Sequence, residues 1–198
     1  MKKFFVFAFF GYVGTAYALC SAAPTHESTK LPIKLRIEKH EAALVLVVKY
    51  RGSDQTINLI NPVEDINKIV VRDFNLDGKD DLGIPGDEGN VARYLDIYTY
   101  SSITRKFERN VALSELPCIS VNERSRTVSG ECFHTSACEN WAETYKFRAD
   151  DSLDLVRKKG FYCDPSTGKS YKYISIFSGG KLLKNTIHQI EGAKKTGE

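Results

Sequence analysis

The pattern of hydrophobic and polar residues predicts short β-strands along almost the whole chain after residue 30. Residues 33–37 alternate apolar and charged side chains, which is typical of a strand with one buried face. Residues 44–50 form a Val-rich run of the length of a buried strand. Similar runs, separated by Gly, Pro, Asn and Asp turn signals, predict strands at 56–60, 68–72, 82–84, 94–100, 106–108, 118–121, 127–128, 143–147, 153–157, 161–163, 171–177 and 182–183.

Strands of this length and spacing predict an all-β fold of antiparallel strands, either propeller-like or a barrel or sandwich. One helical turn is predicted at residues 113–116, and no long helix is predicted anywhere. The chain has 198 residues, enough for one domain with its own hydrophobic core. We expect the chain to divide into a signal peptide at 1–23, a flexible lead-in at 24–30, a single β domain at 31–190 and a flexible tail at 191–198.

The first residues have the composition of a secretory signal peptide. Two lysines precede an apolar run at 4–13, and residues 16–18 form a small-x-small cleavage signal, with 21–23 as a second one. The apolar run is too short for a transmembrane span. Cys20 raises the alternative of a lipoprotein, but Leu19 stands where a lipidation signal has a small residue. The sequence therefore favours a soluble exported protein.

Cleavage after residue 23 would remove Cys20 and leave four cysteines, all in the later part of the chain. An even number of cysteines in an oxidising compartment indicates two disulfides. Zinc binding is the alternative, but no C-x-x-C or H-x-x-x-H spacing accompanies these cysteines. Four cysteines allow three pairings. We prefer one short-range disulfide, Cys132–Cys138, and one long-range disulfide, Cys118–Cys163.

Residues 73–81, which read D-F-N-L-D-G-K-D-D, match a calcium-binding loop of the form D-x-N-x-D-G-x-x-D. Oxygen donors at alternate positions can converge on one hard cation, and the glycine permits the sharp turn. The predicted ligands are Asp73, Asn75, Asp77, the Lys79 carbonyl and Asp81, with Gly78 at the turn. Ile84 replaces the bidentate Glu of an EF-hand, and a strand rather than a helix precedes the loop, so the better match is the calcium loop between strands of propeller repeats. The alternative is a solvated turn without a metal.

Charge and motifs exclude several functions. The net charge is only +3, and it decreases when the two lysines of the signal are removed. The sequence has no stripe of basic residues that would bind nucleic acid. None of the four histidines has metal-ligand spacing, and no nucleophile signature is present. We therefore predict that the protein is not an enzyme.

The segment 129–141 is the strongest candidate for binding another protein. It is polar with interspersed aromatic residues, and it is predicted to be a loop closed by two of its own cysteines. Glu131, His134 and the only Trp of the chain, Trp141, are side chains typical of interface anchors. The alternative is a disulfide-stapled connection in which Trp141 turns into the core.

The calcium loop, the Gly-rich stretch after it and the Tyr-rich strand at 94–100 together resemble the calcium-containing, propeller-like β domain of certain bacterial immunity proteins. That resemblance implies a periplasmic protein that blocks a lysozyme-like, peptidoglycan-cleaving effector of an antibacterial secretion system by inserting a loop into its active site. The corresponding segment here runs from Gly130 to Tyr145, where His134 or Glu131 would bond the catalytic carboxylates of the hydrolase. The alternative function is a non-catalytic periplasmic calcium-binding envelope module without an inhibitory role.

Overall fold

The computed structural model describes residues 32–40, 43–89 and 92–190. The predicted signal peptide at 1–23, the lead-in at 24–30 and the tail at 191–198 lie outside the described residues. Within the described ranges, no helix is long and apolar enough to cross a membrane.

The described residues form thirteen antiparallel strands in three sheets, which confirms the all-β prediction. The first sheet contains β1 (Lys34–His40), β2 (Ala43–Tyr50) and β3 (Ser53–Asn58). The second contains β4 (Val70–Arg72), β5 (Asp81–Glu88), β6 (Arg93–Ser101) and β7 (Lys106–Arg109). The third contains β8 (Ser120–Asn122), β9 (Thr127–Ser136), β10 (Glu139–Phe147), β11 (Leu153–Cys163), β12 (Ser170–Ser178) and β13 (Lys181–Ile190). In each sheet every strand pairs with its neighbour in sequence.

Helical structure within the described ranges is confined to two short pieces. A 3₁₀ turn spans Ile66–Lys68, and helix α1 spans Val111–Ser114. The Asn110 side chain caps α1 by accepting the Leu113 N–H at 3.1 Å. The Ser114 hydroxyl accepts the N–H of Ile97 at 2.9 Å, which fixes α1 to β6. The predicted helical turn is therefore confirmed, two residues earlier than expected.

Two hydrophobic clusters place the second sheet between the other two. The first cluster joins side chains of the first and second sheets, including Leu46 on β2 and Leu82 on β5, both fully buried. The second cluster joins β6, α1 and the third sheet through Ile97, Leu113 and Val128. Successive side chains of a strand point to opposite faces, so β6 contributes to both clusters from its two faces. Each sheet keeps two edge strands within the described ranges, so these strands do not close a barrel. The propeller-like interpretation stays a prediction.

The third sheet is larger than the sequence predicts. The segment 129–141 is not a loop but the paired strands β9 and β10, joined by a tight turn at 137–138. The predicted strands at 153–157 and 161–163 are one strand, β11, and the two residues predicted at 182–183 are part of the ten-residue β13. Polar runs such as Lys158-Lys159 do not stop a strand here, because cross-strand pairing supplies their backbone hydrogen bonds on both sides.

The four cysteines form two disulfides, as predicted, but the preferred pairing of Cys132–Cys138 and Cys118–Cys163 is wrong. The structure pairs Cys118 with Cys132 and Cys138 with Cys163, with Cα–Cα distances of 5.5 and 5.7 Å. The hairpin explains the difference, because the register that pairs Asn140 with Phe161 brings the two ends, Cys138 and Cys163, side by side. Cys132 instead lies beside the segment before β8, where the Glu131 N–H donates to the Pro117 carbonyl at 2.9 Å. All four thiols are therefore used, and the zinc alternative does not apply.

Candidate functional site

The loop at 73–81 is held by hydrogen bonds between its own side chains and backbone. The Asp73 carboxylate accepts the N–H groups of Asp77 at 3.1 Å and Gly78 at 2.8 Å. Asp77 accepts the N–H of Lys79 and also its ammonium group, both at 2.8 Å. Leu76 and Gly78 have φ angles of 63° and 85°, and the Leu76 side chain is buried in the second cluster. The loop is thus a tight, anchored turn in which Asp77 is exposed and Asp73 and Asn75 are half-buried.

Asp81 differs from the other acidic residues of the loop because its side chain is completely buried. One carboxylate oxygen accepts the N–H groups of Phe74 at 2.9 Å and Asn75 at 3.3 Å. The other accepts the N–H of Tyr100 at 2.9 Å, so Asp81 ties the loop to β6. Burial raises the pKa of Asp81 from 3.8 to about 7, against the opposing effect of these three backbone donors. Asp81 is therefore a structural carboxylate at the base of the loop.

The donor set of the loop suits a hard cation in its chemistry. Asp73, Asn75 and Asp77 carry oxygens at alternate positions, and a carboxylate has lone pairs beyond those that the backbone amides use. Nevertheless, no three acidic, histidine or cysteine side chains in the described part of the chain converge on one point as a metal-binding group. Both oxygens of Asp81 are occupied by backbone donors. Calcium binding by this loop stays a prediction.

The predicted partner-binding segment is a hairpin that two disulfides fix from two sides. Cys118–Cys132 joins β9 to the segment before β8, and Cys138–Cys163 joins the tip of the hairpin to the end of β11. His134 is exposed near the tip, with its ring Nδ1 3.1 Å from the Cys132 carbonyl oxygen. Glu131 is also exposed on β9. These two predicted residues are available to a partner.

The other three predicted residues make contacts within the sheet. Trp141 is half-buried between the Phe133 ring, stacked at 5.6 Å, and the Lys158 ammonium group, 4.2 Å from the indole centroid. Its Nε1 donates to Glu143 at 2.9 Å, and the Tyr145 hydroxyl donates to the same carboxylate. Burial, together with Glu143, raises the pKa of Tyr145 above its usual value. A Cβ at Gly130 would lie 2.6 Å from the Phe133 ring, so the close packing of β9 requires glycine there.

The outer face of the third sheet carries a pocket that the sequence did not reveal. The pocket has a volume of about 500 Å³ and lies across strands β9 to β13. Cross-strand pairing puts one row of its side chains in register: Asn140, Phe161, Lys172 and His188. The neighbouring row places Lys159 beside Ala142 and Ile174, and Glu131 lies at the rim on β9. We call the surface formed by Glu131, Asn140, Lys159, Phe161, Lys172 and His188 the outer pocket.

The outer pocket is basic as well as aromatic. Lys159 and Lys172 are exposed, and neither forms an ion pair with another residue of the described ranges. By contrast, Lys158, which points to the opposite face, pairs with Glu143 at 3.2 Å. In the sequence, the alternation of Arg157, Lys159 and Phe161 indicates this basic and aromatic face. The pattern is recognisable only once β11 is known to be one continuous strand.

Comparison of the chain with protein-family models, with curated proteins and with solved structures found no match.

Proposed function

We propose that this protein is a periplasmic inhibitor of a peptidoglycan-cleaving hydrolase, of the immunity-protein kind, and that it acts by binding rather than by catalysis. The outer pocket, with two lysines that lack an acidic partner among the described residues, is the observation that carries this proposal. Enzymes that cleave glycan chains use a pair of carboxylates in an open cleft. A basic surface is complementary to such a cleft in charge.

The construction of the hairpin also supports inhibition. Two disulfides and continuous pairing with β11 hold β9 and β10 in place before any partner arrives. A preformed surface loses less conformational entropy on binding, and this favours affinity. Glu131, at the rim of the outer pocket, and His134, near the hairpin tip, are exposed, and we propose that they contact the catalytic cleft. The two disulfides are also consistent with an oxidising compartment such as the periplasm.

The test uses the oxidised chain from residue 24 onwards and any exported glycan-cleaving hydrolase that is found encoded next to its gene. We expect one of these hydrolases to lose its activity on purified peptidoglycan when an equimolar amount of the protein is added. The double variant Lys159→Glu, Lys172→Glu should weaken inhibition at least tenfold, because it reverses both unpaired charges of the outer pocket. Lys181→Glu is the matched control, since Lys181 lies at the far end of β13 from His188.

Two results would contradict the proposal in different ways. Full inhibition by the folded double variant would show that a different surface binds the hydrolase. Absence of inhibition of every neighbouring glycan hydrolase would rule out the inhibitor function and favour the alternative of a calcium-binding envelope module.

We also propose that calcium stabilises the protein through Asp73, Asn75, Asp77 and the Lys79 carbonyl. When bound, the ion would neutralise the acidic loop and hold it against β6. Calcium should then raise the unfolding midpoint of the wild type, and Asp77→Asn should abolish that increase. An equal midpoint for the wild type in calcium and in chelator would show that the loop is a turn without a metal.

A further inference from the structure

The first and second sheets meet at a second, larger cleft that has no part in the proposed inhibitor surface. It has a volume of about 720 Å³ and is lined by the turns after β2 and β6 together with the start of β1. Tyr50 and Tyr100 form an aromatic floor, with their rings edge to face at 4.8 Å. The charged residues of the lining are Lys34, Lys49, Arg51, Arg105 and Asp54. We call these residues, with the two tyrosines, the basic cleft.

The charge of the basic cleft is strongly unequal. Four of its side chains are cationic and only Asp54 is acidic. Asp54 pairs with Lys49 at 3.0 Å, so it is committed to one of the four cations. The guanidinium of Arg51 lies over the floor, 5.2 Å from the Tyr50 ring centroid and 6.0 Å from that of Tyr100. The positive charge is therefore concentrated over a surface that is itself aromatic.

Contacts between the two sheets hold the basic cleft open in a fixed shape. Arg105 donates to the Arg51 carbonyl at 3.1 Å, which joins the turn of one sheet to the turn of the other. Next to it, the Gln55 amide forms two hydrogen bonds with the Phe107 backbone, each 2.8 Å long. A cleft that is already formed can bind a ligand without ordering its own walls.

Both arginines occupy backbone positions that favour other residues. Arg51, with φ of 51°, and Gly52, with φ of 75°, form the two-residue turn between the paired residues Tyr50 and Ser53. Asn or Gly is preferred at the first position of such a turn, and another residue costs about 1 kcal/mol there. Arg105, with φ of 57°, ends the turn that closes against Lys106 and has the same disadvantage. The backbone conformation therefore does not favour an arginine at either position.

We propose that the basic cleft binds a small phosphorylated ligand that carries two or more negative charges. Arginine presents a planar fork of donors that matches phosphate oxygens in pairs, and Lys34 adds a point charge at the rim. Tyr50 and Tyr100 are only 4% and 5% exposed, so their rings support the Arg51 guanidinium from below rather than contact the ligand themselves. The volume lies within the range usual for small-molecule sites. This proposal is independent of the inhibitor function.

The experiment is calorimetric titration of the oxidised chain with inorganic pyrophosphate, against sodium chloride of equal ionic strength. We expect saturable binding at one site, and at least a tenfold weaker affinity in Arg51→Asn and in Arg105→Asn. Asparagine suits a positive φ, which offsets the loss of the Arg105 hydrogen bond to the Arg51 carbonyl, so both variants should stay folded. Arg126→Asn is the matched control, since Arg126 also has a positive φ, 52°, but donates to the Leu76 carbonyl elsewhere in the fold.

Vesicles of phosphatidylcholine with and without phosphatidic acid distinguish the two sources of the phosphate. Binding to pyrophosphate without binding to the phosphatidic acid vesicles indicates a soluble ligand, and binding to the phosphatidic acid vesicles alone indicates a lipid headgroup. Binding to neither probe would overturn the proposal. Unchanged affinity in folded Arg51→Asn would overturn it as well, because the anion would then bind outside the basic cleft.

Discussion

Raising the pH from 5 to 8 in the absence of divalent metal is expected to destabilise the protein through Asp81. This carboxyl is fully buried at the base of the 73–81 loop, and burial raises its pKa from 3.8 to about 7. The folded state therefore binds this proton more tightly than the unfolded state does. The resulting stabilisation is fully present below pH 3.8 and is lost as the pH rises through 7.

The size of the effect follows from the two pKa values. At pH 5 the carboxyl is protonated in the folded state and mostly ionised in the unfolded state, whereas at pH 8 it is ionised in both. Proton linkage then gives a decrease of about 2.5 kcal/mol in the free energy of unfolding between these pH values. The three backbone donors from Phe74, Asn75 and Tyr100 favour the ionised form and act in the opposite direction. The measured slope therefore shows whether burial or these donors dominate.

The assay is urea unfolding followed by fluorescence of Trp141, the only Trp of the chain, at several pH values in chelator. Asp81→Asn is the reference, because subtracting its curve removes the contributions of all other titrating groups. Asparagine has only one acceptor oxygen, so it cannot accept the N–H groups of both Phe74 and Tyr100 as the Asp81 carboxylate does. The variant should therefore be less stable at every pH but should lack the slope. Parallel curves, or a wild type that gains stability relative to Asp81→Asn as the pH rises, would refute the reasoning. If calcium binds the loop, adding it should flatten the wild-type slope.

Two further predictions concern packing and covalent structure. Gly160→Ala should lower the free energy of unfolding by about 1–3 kcal/mol, because its Cβ would lie 2.4 Å from the Asn140 carbonyl oxygen. Gly89→Ala is the control, with its nearest contact at 3.5 Å, and equal urea midpoints for both variants would contradict the packing argument. Proteolysis without reductant followed by mass spectrometry should recover the linked peptides Cys118–Cys132 and Cys138–Cys163, and any peptide linking Cys132 to Cys138 would contradict the structure.

Hydrophobic periodicity predicted two strands of the first two sheets closely, because these strands contribute one face to a core, but it predicted only residues 82–84 of β5 (Asp81–Glu88) and placed β3 (Ser53–Asn58) at 56–60. The Val-rich β2 and the aromatic β6 are these two strands, and each lies within one residue of its predicted bounds. The outer strands of the third sheet contribute little to a core, so periodicity underestimated β13 and divided β11. Their length comes from hydrogen bonding between strands, and that interaction leaves no hydrophobic pattern in the sequence.

The candidate sites show the same limit. Loop chemistry is local, so the acidic residues at 73–81 were found from their spacing, although the sequence did not distinguish the buried Asp81 from the exposed Asp77. The outer pocket and the basic cleft join residues that are far apart in the chain, as Arg51 and Arg105 show. Such residues are brought together only by the register of the strands and the packing of the sheets, and neither can be read from a single sequence.

The order of the strands has a consequence for how the chain folds. Each of the three sheets consists of strands consecutive in sequence, and every strand pairs with the one before or after it. Loop closures between pairing partners are therefore short, which lowers the entropic barrier and favours rapid folding for an all-β protein. A chain synthesised from its N-terminus can complete the first sheet before the later strands are available. All four disulfide cysteines lie at or after residue 118. We therefore expect the disulfides to form after the first sheet, once strand pairing in the third sheet has aligned the four sulfur atoms.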